Sequence, residues 1–141
     1  MTYATPTDLI NRFGEKEAIA LTDRAFTGLV DEAVLAEALD QAGAEIDGYL
    51  GGRYTLPLSP VPRILTGYCC DIARYRLCGT GGVVTTDEIR DRYKDAIRFL
   101  ELAAAGKVSL GGMPGGETAP TGNGVVFAPG SKVFGRDGGA Y

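Results

Sequence analysis

Apolar residues recur at three- and four-residue steps through most of the first 105 positions and lose that period after Gly106. The longest periodic run comprises Val34, Leu35, Ala38, Leu39, Ala42, Ile46, Tyr49 and Leu50, which fall on one face of a single helix predicted from about 31 to 51. Asp31 stands where its carboxylate can accept from the free amides of the first turn. Val30 and Leu35 have the spacing of a hydrophobic staple. Gly51-Gly52 supplies the residues most able to take left-handed angles and end the helix. This helix is long enough to be the spine on which shorter helices bury their apolar faces.

Those shorter helices have their own signals. Thr5 caps and Pro6 opens a helix that Gly14 ends, with Leu9, Ile10 and Phe13 as its inner stripe. A second spans Glu15 to Leu21, with Ala18, Ile19 and Leu21 inward. Thr22 to Gly28 reads as a polar connector whose one large apolar residue is Phe26. Past the spine, prolines 57, 60 and 62 make Arg53–Pro62 an extended connector along which Tyr54, Leu56, Leu58 and Val61 can pack. Pro62 opens a helix to about Leu77 with Ile64, Leu65, Tyr68, Cys69, Ile72, Ala73 and Leu77 at core spacing, closed by Gly79, Gly81 and Gly82. Thr85-Thr86-Asp87-Glu88 fits a capping box. It starts a last helix, Thr86 to Ala105, with Ile89, Tyr93, Ala96, Ile97, Leu100 and Ala104 inward. Arg90, Asp91, Arg92, Lys94, Asp95, Arg98 and Glu101 make its outer face, a mixed-sign pattern typical of a solvated surface.

The fold class expected is therefore mainly α: a small helical bundle built round one long helix, residues 1–106, followed by an extended arm, residues 107–141. Of the 21 glycines, 11 lie in residues 106–141, which separates the arm from the body by composition. Val125-Val126-Phe127 and Lys132-Val133-Phe134 are extended candidates that could pair as a short β-hairpin, although a lone hairpin is marginal in water. Phe127, Val133, Phe134, Arg136 and Tyr141 are the arm's candidate interaction residues. Aromatic residues among so many glycines fit an arm that orders on a partner. A private hairpin folded on its own body is the competing reading.

Charge refines the picture. Residues 1–50 carry 10 acids and 3 bases, residues 51–100 carry 8 bases and 5 acids, and the whole chain has net charge −4. A dedicated nucleic-acid binder usually shows a clearly basic domain, whereas opposed acidic and basic edges suit self-assembly. Arg74, Arg76, Arg90, Arg92, Lys94 and Arg98 could form a phosphate-binding face, diluted by Asp71, Asp91 and Asp95. No apolar run approaches bilayer length, so no membrane partner is expected. Cys69, Cys70 and Cys78 are too few for a four-thiolate zinc site and read as small buried residues of a reducing compartment.

Candidate chemistry is sparse. There is no histidine, hence no Ser-His or Cys-His pair and no common metal ligand. Asp87 and Glu88 are better explained as helix-start charges than as a catalytic pair. Gly79-Thr80-Gly81-Gly82 has no lysine where a phosphate loop needs one, and Gly111-Gly112-Met113-Pro114-Gly115-Gly116 opens no helix. No catalytic residue, cofactor or metal is assigned.

Particular residues say more than these statistics. Tyr3-Ala4-Thr5, Asp8-Leu9, Arg12-Phe13-Gly14-Glu15 and Leu21-Thr22-Asp23-Arg24 open a pattern. Ala44-Glu45-Ile46-Asp47-Gly48-Tyr49-Leu50, Arg53-Tyr54, Leu56-Pro57-Leu58, Val61-Pro62 and Asp71-Ile72-Ala73-Arg74-Tyr75 continue it. Arg92-Tyr93, Gly106-Lys107-Val108-Ser109-Leu110-Gly111 and Val133-Phe134-Gly135-Arg136-Asp137 complete it. Together they resemble the phage Mu-like virion protein family, over nearly the whole chain. The resemblance implies a structural role similar to the helical head-tail connectors of long-tailed phages, which form a ring, typically twelvefold, below the portal. Its implied partners are further copies of itself, the portal protein and a tail-side neck protein. Packaged DNA would pass without specific binding, and the implied location is the virion neck after assembly in the host cytoplasm. The competing reading is a DNA-packaging accessory that binds nucleic acid through basic residues 74–98.

Overall fold

Five helices account for most of the residues that the computed structural model describes, 2–80 and 83–110. They are α1 (Pro6–Phe13), α2 (Glu15–Thr22), α3 (Glu32–Leu50), α4 (Arg63–Cys78) and α5 (Asp87–Ala104), with no strand among the described residues. The hairpin expected in the arm lies outside them, as do Phe127, Val133, Phe134, Arg136 and Tyr141.

Local capping explains most of the helix starts. Thr5 accepts from the Asp8 amide (3.3 Å) while Asp8 accepts from the Thr5 amide (2.7 Å), a complete capping box with aspartate in the third position. Asp31 accepts from Ala33 and Val34 at the start of α3 (3.1 and 3.2 Å). The capping box expected from Thr85 to Glu88 does not form. Thr86 caps α5 by accepting from Ile89, so Glu88 falls one position early and pairs instead with Arg92 at 3.0 Å.

Helix ends also differ in part from the reading of the glycines. Gly51 ends α3 in a right-handed conformation (φ −61°, ψ −23°), not the left-handed one expected of Gly51-Gly52. The turn simply tightens, with the Arg53 and Tyr54 amides both donating to the Leu50 carbonyl (3.0 and 2.8 Å), so no left-handed residue is needed. Gly79 is likewise right-handed. Gly106 does take φ +74°: its amide donates to Ala103 and that of Lys107 to Leu102, the paired bonds of a Schellman motif.

α3 is the spine, packing against each of the other helices. Its Leu35, Ala38, Leu39, Ala42, Ile46 and Leu50 are buried, and Val34 and Tyr49 half-buried. Tyr54 and Leu58 of the proline-bearing connector join the same core, with Leu56 and Val61 against its edge. Two inner stripes need adjusting. Ile64 is exposed while Leu65 beside it is fully buried, and on α5 Ala103, not Ala104, is fully buried.

The directions of the helices follow from two contacts at opposite ends. Arg24, just after α2, donates to Thr80, just after α4 (3.2 Å). Gly106, just after α5, lies against the Arg53 guanidinium, just after α3. α4 therefore runs antiparallel to α3 and α5 parallel to it. The α2–α3 loop and the α4–α5 connection share one end of the body, and residues 106–110 leave from the other.

Candidate functional site

Of the six basic residues read as a possible phosphate-binding face, five are exposed, and three of those five, Arg76, Arg90 and Arg92, are in ion pairs with carboxylates of the chain. Arg74 is buried, packed over the Phe13 ring (4.3 Å from its guanidinium carbon to the centroid) and paired with Glu17 at 2.5 Å. Its Nη1 has no hydrogen-bond partner, and a carboxylate oxygen of Glu88 is 3.8 Å away. Arg76 pairs with Glu45 of α3, which also accepts from the Tyr93 hydroxyl (3.1 Å), and Tyr93 stacks on Tyr75 at 4.1 Å. Arg92 pairs with Glu88 and approaches buried Asp71 (4.0 Å). Asp71 in turn accepts two bonds from Arg12 (3.2 and 3.1 Å). Three of the six basic residues thus join α1, α2, α3, α4 and α5 internally. Lys94 and Arg98 stay exposed on α5 with no ion pair among the described residues.

The cysteines are free and buried. Burial pushes the thiols of Cys69 and Cys70 up to about 12, with the Cys70 charge a further cause at Cys69, and raises that of Cys78. No group of three His, Cys, Asp or Glu side chains among the described residues is placed to hold a metal. The Tyr3 hydroxyl donates to Asp47 (2.5 Å) and its carbonyl accepts from Thr66 (2.9 Å), tying the N-terminal segment across α3 and α4. Burial first, then that bond, raises the Tyr3 pKa well above its ordinary value.

What sequence reasoning missed lies in the α2–α3 loop. Phe26, the one large apolar residue of the polar connector, is 94% exposed. Leu29 follows in the same loop at 69%, and Val84 in the connection at the same end of the body at 81%. The loop is held firmly. Asp23 accepts from the Thr27 amide and hydroxyl (2.8 and 3.0 Å) and from the Gly28 amide (2.7 Å). The Thr27 amide bond is the main reason that the Asp23 carboxyl titrates below its ordinary value. Buried Thr22 donates to Ala18 (2.7 Å) and accepts from the Asp31 amide (3.1 Å), closing the loop at its base. Phe26 sits at φ +56°, an uncommon conformation for a bulky residue. The available signal was an aspartate four residues before Thr27-Gly28 with an aromatic between them.

Comparison with known proteins agrees with the motifs. The family described as "Bacteriophage Mu, Gp36" matches residues 3–128. The chain is similar to "Mu-like prophage FluMu protein gp36" of Haemophilus influenzae, 44% identical over 137 residues that cover 96% of this chain and 94% of that protein. It is also similar to "Gene product J" of Escherichia phage Mu, 36% identical over 127 residues covering 89% of this chain and 88% of that one.

Proposed function

The chain belongs to the bacteriophage Mu Gp36 family, and from that premise we propose that it is a structural virion protein acting as a head-tail connector. Copies pack side by side in a ring below the portal protein, twelvefold in the virion as in the connectors it resembles. A tail-side neck protein binds the opposite face, and the C-terminal arm docks on a neighbour. Packaged DNA passes through the channel without specific binding. Assembly takes place in the host cytoplasm, the mature location is the virion neck, and the role is not catalytic.

The observation that carries this reading over a DNA-packaging accessory is the destination of the basic residues. Arg74, Arg76 and Arg92 are committed to carboxylates of their own chain, and Arg74 is buried. A DNA-binding face needs cations free to replace counterions along phosphates. The test is anisotropy of labelled duplex DNA titrated with the chain at low ionic strength. The connector reading predicts no salt-dependent binding. Tight binding that weakens steeply with salt, and that Lys94→Glu with Arg98→Glu abolishes, would move the assignment to the packaging accessory.

A further inference from the structure

Isolated exposed apolar side chains are ordinary on protein surfaces. Phe26 differs in three respects: it is almost wholly exposed, Leu29 and Val84 stand exposed at the same end of the body, and the loop that carries it is pinned by Asp23 and Thr22. A slack loop could fold Phe26 back onto the body. This one holds it outward in an uncommon backbone conformation.

A complementary groove lies elsewhere on the same molecule. Ala4 and Leu39 form its floor, Pro6 and Ala36 line it, and Asp40 stands among them; its volume is about 310 Å³. That is at the lower limit of small-ligand clefts, which run from about 300 to 1,000 Å³, and has room for one aromatic side chain. Its one ionisable residue, Asp40, is exposed and has no ion pair among the described residues. The cation two residues before Phe26 is Arg24, exposed and, among the described residues, with its side chain bonded only to the neutral Thr80 hydroxyl. Size, polarity and charge are therefore compatible between the two surfaces.

We propose that Phe26 of one copy inserts into the Ala4–Pro6–Ala36–Leu39 groove of the next copy, with Arg24 meeting Asp40. Knob and groove are different patches of the chain, so the contact is heterologous and propagates from copy to copy, which a ring requires and a twofold dimer does not. The inference rests on the ring reading above and names the surfaces that make the ring. Arm docking is a separate contact.

The test uses the full chain, because its own three thiols are buried and the first two are held neutral. Ala25→Cys and Ala36→Cys variants, which keep Phe26, are mixed and treated with a short bismaleimide. Expected is a cross-linked product between the two variants that neither gives alone, and that Phe26→Asp placed on the Ala25→Cys chain removes. In unlabelled chain, Phe26→Asp should raise the half-assembly concentration by about tenfold to a hundredfold, since one aromatic side chain loses its burial. Its thermal unfolding should be unchanged, because the side chain contacts little in the monomer. A ring that forms normally with Phe26→Asp, or Ala25→Cys chains that cross-link mainly to each other, overturns the knob-and-groove contact and leaves the ring intact. Wild-type chain that stays monomeric at every concentration, alone and with the portal, overturns the ring reading itself.

Discussion

The buried Arg74 gives the sharpest thermodynamic expectation. Its side chain is 10% exposed and that of its partner Glu17 is 29% exposed. Replacing Glu17 by alanine strands a guanidinium that already has one unsatisfied nitrogen. Breaking a fully buried pair costs about 3–5 kcal/mol; because Glu17 touches solvent, about 2–3 kcal/mol is expected here. For a domain of this size that lowers the melting temperature by roughly 6–15 °C. Arg74→Met should be milder, below about 1.5 kcal/mol, because Glu17 can turn to water and the methionine keeps the contact over Phe13. Glu17→Ala with Arg74→Met should then resemble Arg74→Met alone, a non-additivity of about 2–3 kcal/mol, the whole of the Glu17→Ala loss. Urea unfolding followed by far-ultraviolet circular dichroism measures all four proteins. Strict additivity, or an Arg74→Met loss equal to that of Glu17→Ala, would refute the view of Arg74 as a cation held by its carboxylate.

Three further outcomes follow from the core and its ends. Cys69 and Cys70 have folded pKa values raised to about 12 from 9.0. Above about pH 9 the unfolded chain sheds protons that the folded chain keeps, so stability should fall as pH rises toward 12, and a flat urea midpoint from pH 8 to 11 would contradict it. Gly106→Ala should cost about 1 kcal/mol through its positive φ, and Arg53→Ala should not rescue it, since the strain is in the backbone and the guanidinium can move aside. Ile46→Ala, fully buried on the spine, should cost about 2–5 kcal/mol; a loss under 1 kcal/mol would show that α3 is not the centre of the core.

Most of the bundle was legible because its signals are local. Thr5, Pro6, Asp31 and Thr86 announce helix starts within four residues of themselves, and the spine's stripe follows from spacing alone. Periodicity identifies a face but not the exposure of each residue near its edge: Ile64 fits the stripe and is exposed, while Leu65 beside it is fully buried. Pairing at a distance was not legible. Arg12 and Asp71 are 59 positions apart and Glu17 and Arg74 are 57, so nothing near Arg74 marks it as an internal cation. The role of Phe26 is hidden in the sequence for a related reason: only the bonds of Asp23 and Thr22 reveal that a polar connector is a fixed platform.

The central claim is that this chain works by assembling with its own copies on a portal. The most direct measurement is the mass, by light scattering, of the particle formed when the full chain is mixed with the portal ring of its own phage. The connector account predicts a particle heavier than the portal by a fixed multiple of the 14.8 kDa chain, saturating at one ring. A portal whose mass stays unchanged beside monomeric chain would contradict it.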